Sequence, residues 1–182
     1  IGHIGLGSNF ENDLLFTSDA KADDDNSFGD TAPTSSVFTV KDAGGTNKDG
    51  EKYIAYCFAP IQGYSKFGKF VGNNNADGAF VYTGFTPSYV MVKNATTSHA
   101  NHDWIIFDST REVYNEIDTF LKANETAAET TSGRNEVDFV SNGFKARSSY
   151  GDFNGGGPSD YIYMAFAEHP FVSSKGVPTT AR

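Results

Sequence analysis

Hydrophobic and polar positions alternate in short blocks along the chain, and most apolar blocks are rich in β-branched and aromatic residues. Such runs, bounded by Gly, Asn, Asp or Pro, predict strands. The predicted strands are Ser36–Val40, Lys52–Ala59, Ala79–Thr83, Ser88–Lys93, Asp103–Phe107, Glu136–Val140, Phe144–Arg147 and Asp160–Ala167. The pattern therefore favours an all-β fold, and we predict an antiparallel β-sandwich of the jelly-roll or concanavalin-like kind.

Two turn signals refine this prediction. Asn142-Gly143 stands between two strand-like runs and predicts a hairpin with a type I′ turn, because both residues tolerate positive φ angles. Thr86-Pro87 breaks any helix, so Tyr82–Lys93 is interpreted as two strands around a turn. In Arg111–Glu129 the apolar residues have near-helical spacing, which predicts a short helix or an irregular connection at Tyr114–Leu121.

The run YIYMAFAEHP at residues 161–170 is apolar on both faces of the predicted strand. Alternate side chains of a strand point to opposite sides, and here neither side carries a charge up to Ala167. A strand of this kind is expected to be covered twice, by a sandwich core on one face and by a second layer, a long loop or another subunit on the other. The same holds for Tyr53–Ala59, so we expect Phe58→Ala and Phe166→Ala each to cost about 3–5 kcal/mol.

The two runs echo each other. Tyr53, Ile54, Phe58 and Ala59 recur as Tyr161, Ile162, Phe166 and Ala167, and SSVFTV (35–40) aligns with SNGFKA (141–146). A Gly/Asn/Asp-rich loop follows each of these hexapeptides, and the period is roughly 106–108 residues, too long for a solenoid repeat. The interpretation is an internal duplication of which the first copy is incomplete. Residues 1–60 would be the later half of a first β-sandwich unit, 61–171 a second β-sandwich unit, and 172–182 an extended C-terminal tail.

An incomplete unit would expose strand edges and an apolar face, so something is expected to complete it. One hypothesis is that the natural chain extends upstream of Ile1 with the missing strands. The alternative is that the second unit or another subunit completes the first, giving a composite domain.

Composition limits the partners. The net charge is −9, no Lys/Arg cluster offsets it, and nucleic-acid binding is therefore discounted. No apolar run approaches the ~18 residues that would span a bilayer, so no membrane insertion is expected. The one cysteine, Cys57, lies in an apolar run and is interpreted as a small buried hydrophobic residue.

The sequence contains no strong catalytic or metal-binding motif. The histidines His3, His99, His102 and His169 form no HExxH or Cys-His pattern, and those in the loop TTSHANHD are interpreted as solvated. Asp23-Asp24-Asp25-Asn26 lacks the spacing of a calcium loop and is interpreted as a solvated acidic turn. No catalytic, cofactor-binding or metal-ligating residue is therefore assigned, no cofactor is expected, and the chain is predicted not to be an enzyme.

Three further kinds of motif occur in the loops. Gly155-Gly156-Gly157 is interpreted as a flexible connection, since no helix follows it to bind phosphate. Asn94-Ala95-Thr96 and Asn124-Glu125-Thr126 match glycosylation sequons, which matter only in a secreted eukaryotic chain. The loops GNNNADG (72–78) and Tyr150–Asn154 mix aromatic rings with amides, a mixture that suits either sugar binding or an ordinary turn.

Four segments together resemble a known family. They are Tyr53–Asn94, Asp103–Arg111, Phe139–Ser149 and Tyr161–Phe171, with the phrases GYSKFG, DG-x-FVYTGF-x-P and YIYMAFAE-x-PF. They resemble a domain of unknown function found near the C-terminus of virion structural and tail-fibre-like proteins of marine tailed bacteriophages, including cyanophages. Those proteins often also carry concanavalin- or laminin-G-like sandwiches. The similarity covers about Thr34 to Arg182 and implies a location on the virion surface, without any known catalytic residues.

The expected function is a non-enzymatic virion structural protein, a tail or fibre module on the particle surface that attaches to host glycans. A head decoration protein that clamps capsomers is one alternative, and a secreted bacterial carbohydrate-binding domain is another. The expected partners are other virion proteins, copies of the same chain and a host surface glycan.

Overall fold

The structure is a computed structural model that describes residues 1–23, 27–134 and 136–169, and it is all-β over these residues. None of the described residues is helical, so this part of the chain contains no helix that could cross a membrane. The strands are β1 Asn12–Asp13, β2 Ala22–Asp23, β3 Ser65–Val71, β4 Phe80–Tyr82, β5 Pro87–Asn94, β6 Ile105–Asp108, β7 Thr119–Lys122, β8 Thr130–Thr131, β9 Val137–Val140, β10 Gly143–Ala146 and β11 Asp160–Ala167.

Two antiparallel sheets form the sandwich that the sequence predicts. The larger sheet has six strands in the order β3-β11-β5-β6-β7-β8, and the smaller has three in the order β4-β10-β9. β11 pairs with β3 on one side and β5 on the other, so it lies inside the sheet although it is the last strand of the described chain. β1 and β2 form a separate two-stranded ribbon.

Aromatic rings fill the space between the two sheets. Phe70 of β3 stacks on Tyr161 of β11 with ring centroids 5.2 Å apart, and Phe144 of β10 meets Tyr163 edge to face at 5.4 Å. Phe153, from the loop before β11, completes this core against Phe107 at 5.1 Å. Side chains of this size contribute on the order of 2–3 kcal/mol each when they leave water, so the core is a large stabilising term.

The opposite face of the larger sheet is also covered, as the apolar run in β11 predicts. Leu6 and Leu14, from the segment before β2, pack with Trp104 against Ile162 of β11. At the other end of β11, Phe166 meets the rings of Tyr64, Phe67 and Tyr89. The prediction that β11 is covered on both faces is therefore confirmed.

The hairpin between β9 and β10 is confirmed, but its turn differs from the prediction. Val140 pairs with Gly143, so the two loop residues are Ser141 and Asn142, and neither has a positive φ angle. Gly143 is instead a strand residue, and a Cβ there would lie 2.0 Å from the carbonyl oxygen of Val81 on β4. The glycine is required by the close approach of β4 and not by a type I′ turn.

Two predicted strands are absent. Ser36–Val40 and Lys52–Ala59 contain no strand and are almost entirely exposed. Of the two alternatives for Tyr114–Leu121, the short helix is wrong and the irregular connection is found: the segment is irregular up to Asp118, apart from a bridge at Ile117, and then enters β7. The turn at Thr86-Pro87 does separate two strands, β4 and β5, although they belong to different sheets.

The duplicated segments occupy unrelated environments. Tyr161–Ala167 lies within β11, whereas Tyr53–Ala59 is exposed outside any sheet, so the prediction of equivalent positions is wrong. Cys57 is exposed, which overturns its interpretation as a buried residue. The internal duplication itself is not verified, and the predicted C-terminal tail at 172–182 lies outside the described residues.

A pair of phenylalanine truncations tests this architecture. Phe144 is fully buried against Phe70, Phe153 and Tyr163, so Phe144→Ala should lower the free energy of unfolding by about 3–5 kcal/mol. Phe58 is 60% exposed, and Phe58→Ala should cost less than about 1 kcal/mol in the isolated chain, contrary to the expectation from sequence. Urea denaturation of both variants measures this difference, and equal losses would contradict the fold described here.

Candidate functional site

Asn154 joins the two loops whose composition suits either sugar binding or an ordinary turn. Its side chain is fully buried, and Nδ2 donates to Asn73 Oδ1 at 2.9 Å and to the carbonyl oxygens of Asn75 and Ser148, both at 2.8 Å. Its Oδ1 accepts from the backbone N–H of Asn73 at 3.1 Å. The loops 72–78 and 148–157 are therefore held together at one end of the sandwich.

The loop before β11 is closely packed and not a loose connection. The Gly155 carbonyl accepts a bond of 2.9 Å from the Tyr161 hydroxyl, and that hydroxyl also lies 2.6 Å from the Gly151 carbonyl oxygen. A Cβ on Gly155 would approach the Ser149 carbonyl oxygen to 2.1 Å, so no larger residue fits without displacing the chain. The interpretation of Gly155–Gly157 as merely flexible is wrong for its first residue.

A charged cluster lies beside this loop. Lys122 of β7 forms an ion pair of 2.7 Å with Asp103, which is fully buried and also accepts a 2.8 Å bond from Asn124 Nδ2. Burial alone would raise the pKa of Asp103, but the bonds from Asn124 and Lys122 outweigh it and hold that pKa below its usual value. The Asp103 bond to Lys122 correspondingly raises the pKa of the lysine.

Asp152 is the most perturbed carboxyl in this cluster. Burial raises its pKa to about 6, with Lys122 opposing the rise and Glu136 and Asp103 adding to it. Next to it, the Arg134 guanidinium lies 3.6 Å from the centre of the Tyr150 ring and bonds Glu136 at 3.1 Å. This cation–π contact occupies the ring on the side that faces Arg134.

The arrangement is better suited to holding loops than to chemistry or sugar recognition. The amide groups of Asn73, Asn75 and Asn154 already bond to one another and to the backbone, and Lys145 neutralises Asp77 in an ion pair. A shallow polar depression of about 170 Å³ adjoins Arg134, lined by Glu112, Glu116, Asp118 and Gly133. Tyr150, half exposed, is an aromatic ring at this end that a sugar could still reach.

Two of the four histidines make buried or half-buried structural contacts, and the other two are exposed. His3 Nε2 lies 3.1 Å from the Tyr163 carbonyl oxygen, and burial lowers its pKa. His99 is solvated as expected, whereas His102 is buried, with Nδ1 2.9 Å from the Thr97 carbonyl oxygen, so its interpretation as solvated is wrong. His169 is exposed beside Glu168. Within the part of the chain that the structure describes, no three His, Cys, Asp or Glu residues are arranged to hold a metal ion.

Both sequon asparagines are structural. Asn94 is fully buried, and its Oδ1 accepts bonds from the backbone N–H groups of Thr96 and Thr97. Asn124 Oδ1 accepts a 2.7 Å bond from the backbone N–H of Trp104. Neither side-chain amide is therefore free in the folded chain. Of the acidic run at 23–26, Asp24, Asp25 and Asn26 lie outside the described residues.

Sequence reasoning missed a buried lysine. Lys93 of β5 is fully buried, and its ammonium donates to the carbonyl oxygens of Asp19 and Asn94, both at 2.7 Å. Burial lowers its pKa to about 8, although Asp103 and Asp19 oppose this shift. The lysine fastens the segment before β2 to the outer face of the larger sheet. The signal was available, because Lys93 closes the apolar run VMVK and shares a strand face with Met91.

Comparison with known proteins gives a family without a function. The model of DUF7483, a domain of unknown function, matches residues 1–170. None of the curated proteins and none of the solved structures compared with the chain matches it.

Replacing Asn154 tests its role as the link between the loops. Asn154→Ala should lower the free energy of unfolding by about 2–4 kcal/mol, because several buried polar groups lose their partner at once. Amide hydrogen exchange should accelerate across residues 72–78. The control is Asn142→Ala in the exposed β9–β10 turn, which should leave stability and exchange unchanged. Unaltered exchange at 72–78 in the Asn154 variant would contradict the proposed link.

The raised pKa of Asp152 gives a pH-dependent test. Between its unfolded pKa near ~3.9 and its folded pKa of about 6, the native state retains a proton that the unfolded state has lost. Stability therefore falls as pH rises through this window and stays lower above it. Asp152→Asn should remove that fall and raise stability at pH 7 by about 1–2 kcal/mol, after discounting for solvent screening. Urea denaturation from pH 4 to 7 checks this, with the exposed Asp49→Asn as the charge-matched control. A loss of stability at pH 7 would contradict it.

Proposed function

The chain belongs to the DUF7483 family, and on this premise we propose that it is a non-enzymatic structural protein of a tailed-bacteriophage virion, a tail or fibre module on the particle surface. It acts by assembling with other virion proteins and with copies of itself. The observation that carries the proposal is a long exposed segment with many apolar side chains, residues 31–62, which we call the arm.

The arm has the composition of a buried element but the exposure of a surface one. Nearly every residue of 31–62 is exposed, and this includes the large side chains of Val37, Phe38, Val40, Tyr53, Ile54, Tyr56, Phe58 and Ile61. Soluble monomers rarely leave contiguous apolar surface of this extent open to water. A protein whose working state is an assembly buries such a segment against its neighbour.

The resemblance of GYSKFG, DG-x-FVYTGF-x-P and YIYMAFAE-x-PF to a domain of phage virion proteins supports the virion context. Attachment to host glycans is a secondary part of the proposal, with Tyr150 as a ring available for stacking. The amides of Asn73, Asn75 and Asn154 in the neighbouring loops are committed to internal bonds, so assembly has the stronger structural support.

Composition of purified particles tests the proposal. Mass spectrometry of virions from a phage that encodes this chain should detect it in many copies. A small multiple of three or six would agree with a tail or fibre, whereas hundreds of copies would favour the head-decoration alternative. Absence from particles would contradict the virion role, and polysaccharide turnover abolished by a single carboxylate substitution would contradict the non-enzymatic one.

The arm itself can be tested in the same particles. Tyr56→Asp places a charge in the exposed apolar segment and should reduce incorporation into particles without unfolding the sandwich. Tyr114→Asp is the matched control, since Tyr114 is equally exposed (83% against 82%) but lies outside the arm. Equal incorporation of both variants would remove the support that the arm gives.

A further inference from the structure

The backbone of the arm at Tyr53–Phe58 is exposed and not paired with another strand of the described chain. Within the described residues, no backbone N–H or carbonyl of this stretch forms a hydrogen bond with another backbone group. Its side chains are exposed as well, with Ile54 at 80% and Tyr56 at 82%. The stretch is rich in aromatic residues and has no charge, so its residue types are those of a strand.

The larger sheet ends in a strand with an open edge. β3 pairs with β11 on one side and has no strand on the other among the described residues. It is seven residues long, and Lys69 and Val71 near its end are exposed. An edge of this length presents unpaired N–H and C=O groups that can accept a further strand.

The sequence of the arm resembles that of the strand that β3 already binds. Tyr53, Ile54, Phe58 and Ala59 match Tyr161, Ile162, Phe166 and Ala167 of β11, and β11 pairs antiparallel with β3 over its whole length. Side chains like those of β11 therefore fit on both faces of the sheet in a strand next to β3. The echo also explains why an exposed segment has strand-like alternation.

The arm does not take this edge in its own chain. Ile61 and Ser65 form an antiparallel bridge, which reverses the chain direction between the arm and β3. Upstream of this bridge, the centre of the Phe58 ring lies 6.2 Å from that of Phe67 on β3 and 6.0 Å from that of Phe166 on β11. Because Phe166 belongs to the second strand from the edge, the arm crosses the face of the sheet there. Beyond this bridge, the backbone of Tyr53–Phe58 and the β3 edge from Lys66 onward stay unpaired within the described part of one copy.

Two arms provide enough surface for a stable contact. Tyr53, Ile54, Tyr56 and Phe58 together expose roughly 500 Å², taking about 200 Å² for a whole side chain of this size. Reciprocal exchange between two copies would bury about twice that from the arms alone. This reaches the ~1,000 Å² that separates specific interfaces from incidental ones, before the receiving surfaces are counted.

We propose that the arm of one copy adds as an antiparallel strand to the free edge of β3 in a second copy of this chain. The inference deepens the proposed assembly function and rests on it for its biological setting, but the pairing itself is a property of the purified chain. Strand addition satisfies the backbone of both partners, and alternate side chains supply specificity.

The single cysteine provides the test. One sample carries Cys57 as it stands, and a second carries Cys57→Ser with Lys66→Cys or Lys69→Cys, which place a thiol on either face of β3. The two samples are mixed, equilibrated and oxidised, and disulfide-linked peptides are identified by mass spectrometry. We expect a linkage between Cys57 of one copy and the introduced cysteine of the other, because paired strands bring Cα atoms within disulfide range. A matched control with Cys57→Ser and Tyr114→Cys should give at least about tenfold less linkage.

Two results would overturn the proposal. A third sample keeps Cys57 and adds Lys66→Cys or Lys69→Cys in the same chain; linkage within this chain, with none between copies in the mixture, would show that the arm closes on its own sheet. The other is the absence of linkage between copies in the mixture, whether light scattering shows a monomer or an oligomer. Tyr56→Asp provides a second measurement that needs no new cysteine, and it should weaken self-association by about tenfold or more, while Tyr114→Asp should not.

The outcomes also separate this inference from the proposed function. A chain found in particles whose purified form shows no linkage between copies would retain the virion role and lose the arm pairing. A chain that links between copies but is absent from particles would give the opposite result.

Discussion

The position of β11 inside the larger sheet is the constraint on which the rest of the structure depends. Its inner face presents Tyr161 and Tyr163 to the aromatic core, and its outer face presents Ile162 to the segment before β2. Tyr161 does more than fill space, because its hydroxyl bonds Gly151 and Gly155 and so fixes the loop that carries Asp152 and Asn154. Burial raises the pKa of this hydroxyl, which keeps it protonated as a donor. The core, the covering segment and the candidate site thus share one strand.

This strand also shows how far the sequence determines the fold. The uncharged alternation at residues 161–167 predicted a strand covered twice, and the structure confirms it because both coverings lie within the chain. The nearly identical alternation at 53–59 predicted the same and was wrong. Alternation specifies what a segment can pair with, but whether a partner is present is decided by residues far away in the chain or outside it. The helical alternative at 114–121 is wrong for a related reason, since Ile117 and Phe120 are buried by contacts with β-structure that local spacing does not encode.

The candidate site was predictable in composition but not in use. Asn-rich and aromatic loops were identified from the sequence, and the structure brings 72–78 and 148–157 together. The sequence did not reveal that Asn154 is buried and that its side-chain amide bonds to the backbone of the two loops. The hydrogen-bond partners of a loop amide depend on how two distant segments approach each other. Residue type alone therefore does not distinguish an amide that binds a ligand from one that holds the loops together. The buried Lys93 and the raised pKa of Asp152 likewise arise from burial, which is a property of the packed molecule.

An exposed apolar arm is a hazard that has to be balanced by specificity. Its strand-like composition would promote indiscriminate aggregation if hydrophobic contact were the sole attraction between copies. The net charge of −9 opposes random association, because like-charged molecules repel at long range. Only an approach that forms many short-range contacts at once overcomes this repulsion. Backbone pairing along β3, with Tyr and Phe rings placed on alternate faces, is such an approach, since it is directional and requires register. In the proposed assembly the acidic surface and the apolar arm are therefore complementary features: the charge suppresses unspecific contacts, and the strand edge selects the one that remains.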